Sequence, residues 1–127
     1  MMWPIFWPND TDFSNPANVR HPSEDFGAAG QYVAGQVAAV VSASGSSGDP
    51  QGYGQAVARR LFPDVLPYVV GTPASYGFAA FNGRTLADNA PEAMLSLVTS
   101  TAVQSGLKPS VAERLRDTRF PYVVPWP

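Results

Sequence analysis

Cysteine is absent from the chain. Disulfide scaffolds, zinc–thiolate sites, iron–sulfur clusters and cysteine nucleophiles are therefore excluded. Histidine and lysine occur once each, as His21 and Lys108, so a zinc site built on imidazoles lacks ligands. Charge is scarce as well. Asp, Glu, Lys and Arg make up 14% of the residues, against about 25% in ordinary soluble domains. A chain so poor in charge exposes neutral or apolar surface, which raises the expectation of a partner. No run approaches the ~20 apolar residues of a transmembrane helix. The opening residues, Met1 to Pro8, lack the basic and apolar regions of a signal peptide. No serine sits in a G-x-S-x-G elbow, and no glycine-rich run has the phosphate-loop pattern.

What is present reads as one folded domain. The 127 residues are 45% apolar, enough for a core without covalent staples. Net charge is −2 with no basic stripe, so nucleic acid is not an expected partner. Seven of the eight basic residues are Arg, as suits an Arg-rich, GC-rich bacterial genome. The expected fold is mainly α: three to four helices, long Pro-rich extended segments, and at most a short β-strand or hairpin. Residues 1–22 form an extended aromatic arm and loop, 23–106 the helical core, and 107–127 a short helix and tail.

The arm carries Trp3, Phe6 and Trp7 between prolines that forbid a regular helix. Its rings either strap onto the chain's own core or dock on a partner or membrane interface. Residues 9–23 read as a loop. Asp10, Asp12 and Ser14 alternate like the start of a calcium loop, yet the Gly and Glu that such a loop requires are missing. Ser23 then caps a helix over 24–43, with Phe26, Ala29, Val33, Val37 and Val40 at helical spacing. The run from Ser42 to Gly48 is a flexible helix–helix connection. Asp49-Pro50 starts a second helix that ends before Pro63. Pro63, Pro67 and Pro73 break the chain into extended pieces, with a short strand expected at Tyr68-Val69-Val70. Thr85 and Asp88 fit a capping signature for a third helix over at most 86–104. Ser110 and Glu113 form a capping box for a short helix over about 110–117. The tail from Phe120 to Pro127, with Tyr122 and Trp126, is extended again, and the two ends pair with each other or dock outside the chain.

Few residues could carry chemistry. His21 is the only base for a Ser–His–Asp triad, but its loop and its acidic neighbours Asp12, Glu24 and Asp25 point to an ion pair or loop hydrogen bond instead. Asp64 and Asp88 could pair for acid–base work, or each could cap a turn. Arg84 follows the Asn82-Gly83 turn. Its guanidinium ties Asp64 or Asp88 to that turn, or binds a ligand carboxylate, with Tyr76 nearby in sequence. No metal or cofactor is implied.

One stretch carries a resemblance. Leu61 to Tyr68 (LFPDVLPY), Gly77-Phe78, Phe81 to Asn89 (FNGRTLADN) and Phe120-Pro121-Tyr122 resemble the C-terminal part of the bacterial domain-of-unknown-function family numbered four thousand three hundred and thirty-one. Asn89 stands where that pattern has its second acid. Members of the family are several times longer and many look exported. The resemblance therefore implies a shared local fold over roughly the last 70 residues and a place on the periplasmic or other outer side of a membrane. It assigns no reaction.

The reading that follows is a non-enzymatic binding or structural subunit of a larger bacterial protein assembly, a membrane-associated complex, docking through its arms: Trp3, Phe6, Trp7, Tyr122 and Trp126. Its partners are other protein subunits, with peripheral membrane contact as a further option. The alternative is a small-ligand or hydrolase-like enzyme using Asp64, Arg84 and Asp88. A weaker alternative is a calcium-stabilised module.

Overall fold

A computed structural model describes residues 11–124, and their side chains from Asn15 onward. The fold is mainly α, with one two-stranded antiparallel hairpin. Five α-helices are formed among the described residues: α1 (Thr11–Val19), α2 (Asp25–Ser44), α3 (Pro50–Leu61), α4 (Ala90–Thr99) and α5 (Pro109–Glu113). Strands β1 (Ser75–Tyr76) and β2 (Phe81–Asn82) pair in register Ser75 to Asn82 and Tyr76 to Phe81. The chain divides into two compact units, one with residues 11–65 and 97–101, the other with 66–96 and 102–124.

The first unit is built on the α2–α3 hairpin. A 3-10 turn, Pro22–Glu24, precedes α2. His21 caps it: the Ser23 N–H donates to His21 Nδ1 at 3.3 Å, and the Ser23 hydroxyl lies 2.8 Å from the same nitrogen. Ser23 is therefore inside the turn, not the cap of the helix. Helix α2 buries Ala29, Val33, Val37 and Val41 in one row and Gly30, Ala34 and Ala38 in the next. These are i, i+4 rows, the ridges along which helices pack. The row steps to Val41 and leaves Val40 exposed, where a 3.6-residue period alone had pointed to Val40. Gly45 ends the helix with φ of 64°. The Ser46 N–H donates to Val41 O at 3.1 Å and the Gly45 N–H to Ser42 O at 3.2 Å, a Schellman closure that only a residue tolerant of positive φ makes cheaply.

Helix α3 starts as the sequence indicates. The Asp49 carboxylate accepts from the Gly52 N–H at 2.9 Å, and Pro50 takes the first helical position, where no N–H is needed. Gly54, Val57, Ala58 and Leu61 are buried. Gly54 is where the helices touch: a Cβ there would collide with the backbone carbonyl of Ala34 and lie 3.2 Å from the Ala38 Cβ. The last turn of α4 completes this unit. The Tyr53 hydroxyl donates to Leu97 O at 2.6 Å and the Ser46 hydroxyl to Thr99 O at 2.7 Å. Leu97 and Val98 are buried.

Several local expectations are corrected. Residues 11–19 are helical where a loop was expected, with Pro16 inside the helix. Asp, Asn and Ser read as loop formers because they compete for backbone hydrogen bonds, and here they do not prevail. No strand forms at Tyr68-Val69-Val70; side-chain hydrogen bonds hold that stretch instead. Helix α4 begins at Ala90, not at 86, and ends at Thr99. Pro91 disfavours helical backbone before it, so it belongs in the first turn of a helix, not in its interior. Helix α5 begins at Pro109 with no side-chain cap on Lys108, so the Ser110–Glu113 box is not what starts it. The described part of the tail, 120–124, folds back. Arg116 bridges Val123, the Asp117 N–H donates to Tyr122 O at 3.0 Å, and the Val124 N–H donates to Leu115 O at 3.0 Å.

Candidate functional site

The second unit is organised around Asn82. Its Oδ1 accepts from the Val69 N–H at 2.8 Å. Its Nδ2 donates to the Thr72 hydroxyl at 2.8 Å and to Pro73 O at 3.0 Å. The next residue continues the lock, with the Gly83 N–H donating to Pro67 O at 2.7 Å. Gly83 has φ of 72°, and a Cβ there would lie 2.8 Å from the Tyr68 ring. Positive φ and close approach together demand glycine at this point. The Tyr68 hydroxyl then donates to Thr72 O at 2.8 Å. One amide side chain and one glycine thus hold residues 67–73 without a β ladder. Read locally, Asn82-Gly83 is a tight turn leading toward a helix; here the pair ends a strand and pins a distant loop.

The held stretch displays apolar side chains. Leu66, Tyr68, Val69 and Val70 are all exposed, Val70 to 88%. Below them Tyr76 and Phe81 face each other across the hairpin with ring centroids 4.4 Å apart and planes 12° apart. The Gly77 N–H donates to Ala80 O at 3.1 Å to close the turn, and Phe78 is exposed in it. Tyr76 is thereby engaged as a packing residue of the hairpin.

Asp88 and Asp64 each take part in a backbone hydrogen bond. Asp88 Oδ2 accepts the Thr85 N–H at 2.6 Å, and the Ala87 N–H donates to the Thr85 hydroxyl at 3.2 Å. The capping signature therefore closes a turn of its own, just ahead of the helix. Arg84 is exposed beside it. Asp64 lies in the first unit, where its N–H donates to Asp25 Oδ2 at 3.1 Å. Asp25 is buried, and its Oδ1 has no hydrogen-bond partner among the described residues.

Asn89 is the true cap of α4, a role that sequence reading gave to Thr85. The Glu92 N–H donates to Asn89 Oδ1 at 3.3 Å and Asn89 Nδ2 donates back to Glu92 Oε2 at 2.8 Å. That oxygen also accepts from the Ser105 N–H at 3.0 Å and the Ser105 hydroxyl at 2.7 Å. These two bonds from Ser105 hold the Glu92 carboxyl below its ordinary pKa. The signal was in the sequence as Asn-x-x-Glu astride Pro91.

Trp3, Phe6, Trp7 and Trp126, proposed as docking residues, lie outside the described residues, as does Asp10 of the possible calcium loop. Asp12 and Ser14 stand on helix α1. Among the described residues no three His, Asp or Glu side chains come together as a metal site. Tyr122 is exposed at the folded-back tail, with its ring edge-on to Phe120 at 5.9 Å. A shallow groove of about 320 Å³ runs over α2 and α3, lined in part by Gln31, Gly35, Gln51 and Gln55. It contains none of Asp64, Tyr76, Arg84 or Asp88.

Comparison with protein families, curated proteins and solved structures finds no match to this chain. No helix among the described residues is long and apolar enough to cross a membrane.

Proposed function

We infer that the chain is a non-enzymatic binding or structural subunit of a larger protein assembly. One observation carries this reading. Among the described residues of the second unit, Met94 is the only large hydrophobic side chain that is buried, while Leu66, Tyr68, Val69, Val70, Phe78 and Leu86 are among those exposed. Isolated soluble proteins show single exposed apolar residues as a matter of course, but a unit that leaves nearly all of them in water is incomplete on its own. The pinned stretch 66–70 adds a second support. Its backbone is already held at Pro67 and Val69, so a partner meets it at a low ordering cost. The arms with Trp3, Phe6, Trp7 and Trp126, and the exposed Tyr122, extend the same docking role. The resemblance of residues 61–68 and 81–89 to a bacterial family with many exported-looking members supports a position on the outer side of a membrane.

The test is native mass measurement of the chain recovered from its own host, with cross-linking to locate the contact. The reading expects a hetero-assembly whose cross-links fall on 66–86 and on the arms. A monodisperse monomer with tryptophans shielded from a quencher by its own core contradicts it.

A further inference from the structure

The C-terminal segment from Leu107 to Val124 differs in charge from the rest of the chain. It holds Lys108, Arg114, Arg116 and Arg119 against Glu113 and Asp117, so four of the chain's eight cationic side chains lie here with two of its ten acids. All four are exposed. Between them stand exposed apolar residues: Leu107, Val111, Leu115, Phe120, Tyr122, Val123 and Val124.

Geometry gives this composition a shape. The Arg116–Val123 bridge sets residues 115–117 beside 122–124. The Tyr122 N–H donates to Arg119 O at 2.6 Å and the Arg119 N–H to Asp117 Oδ1 at 3.1 Å, closing the turn between them. Leu115 lies opposite Val124, and Asp117 lies opposite Tyr122, whose φ is 67°. Phe120, at the turn, is 85% exposed.

We propose that this basic, aromatic-tipped turn docks on a membrane surface rich in anionic lipid headgroups. The Arg side chains supply attraction to the headgroups, and Phe120 and Tyr122 supply rings suited to the water–hydrocarbon boundary. A lipid surface fits better than the other anionic partners. Apolar and basic residues are interleaved along the turn, whereas a protein interface concentrates its apolar residues centrally and its charges at the rim. A protruding ring needs no complementary pocket in a lipid bilayer. The proposal is separate from the stretch 66–86 that carries the protein-assembly reading, and it assigns Tyr122, grouped there with the docking arms, to lipid instead.

The test is co-sedimentation of the whole chain with phosphatidylcholine vesicles, with and without phosphatidylserine. Competition by polyglutamate and by a single-stranded oligonucleotide covers the other anionic partners. Binding is expected only with phosphatidylserine, weakening as salt rises. Each Arg neutralised in an Arg114→Gln, Arg116→Gln, Arg119→Gln series lowers it by about fivefold. Phe120→Ser lowers it by roughly tenfold and leaves the salt dependence unchanged. All these side chains are exposed, and circular dichroism confirms that each variant is folded. Equal binding to both vesicle types, binding to neither, indifference to the Arg series, or tighter binding of polyglutamate or oligonucleotide overturns the proposal.

Discussion

Gly54 of α3 rests against the backbone carbonyl of Ala34 in α2, with no room for a Cβ between them. A backbone atom cannot swing aside as a side chain does. Gly54→Ala therefore forces the two helices apart. Alanine gains about 1 kcal/mol in helix propensity, and overpacking costs ~1–3 kcal/mol. The net effect expected in a urea melt is destabilisation. Gly35→Ala in α2 is the control, because its added Cβ meets nothing within 4 Å. It is expected to stabilise by about 0.5–1 kcal/mol.

Asn82 is the pin of the second unit. Asn82→Ala removes one acceptor and two donor interactions in an exposed setting. Each is worth about 0.5–1.5 kcal/mol at most. The clearer readout is local: amide exchange at Val69 is expected to accelerate strongly, while amides of α2 keep their protection. Asn82→Asp keeps the acceptor for Val69 but sets a carboxylate oxygen against the Pro73 carbonyl, so it is expected to lie nearer to Ala than to wild type.

Glu92 gives a pH signature. Its carboxyl is held below the ordinary value of 4.5 by the backbone N–H and the hydroxyl of Ser105. A depressed carboxylate stabilises the folded state above its unfolded pKa, and that contribution fades as pH falls through the folded-state value. Glu92→Gln is therefore expected to be less stable than wild type at neutral pH, with the gap closing at acid pH. Thermal melts across that range check it. A gap independent of pH contradicts the role assigned to the carboxylate.

Asp49→Ala removes the cap of α3 and is expected to cost ~0.5–2 kcal/mol. Asp88→Ala removes only the local turn closure at Thr85. Its effect is expected to be the smaller of the two, without lengthening or shortening α4 by circular dichroism.

How much of this was legible depended on how local the cause was. The mainly-α class, the helix α2 and the Asp49-Pro50 start of α3 follow from periodicity and capping chemistry within a few residues. The Ser42–Gly48 run reads as the connection after that helix, and its Gly45 is the residue that ends it. The start of α4 was misplaced because Thr85-x-x-Asp88 and Asn89-x-x-Glu92 are overlapping signatures of the same kind, and Pro91 favours the second. The burial of Val41 over Val40 reflects i, i+4 ridge packing against α3, which no single helix reveals. The role of Asn82 was illegible for a different reason. Its partners, Val69, Thr72 and Pro73, lie 9–13 residues away in sequence, and nothing in a two-residue turn motif points to them. Of the proposed site, Tyr76 and Asp88 have local partners that account for them, and the stretch 68–70, expected as a short strand, is instead an exposed segment held by Asn82.

The central claim is that the apolar surface at Leu66–Val70 is covered by a protein partner. The most direct measurement is the native mass of the chain isolated from its own host, compared with the Val69→Ser, Val70→Ser double variant. Both side chains are exposed, Val69 to 62% and Val70 to 88%, so the variant keeps the core intact. The account predicts wild-type chain in a larger assembly and the variant as free monomer. Wild type and variant both running as the single chain, or both in the same assembly, contradicts it.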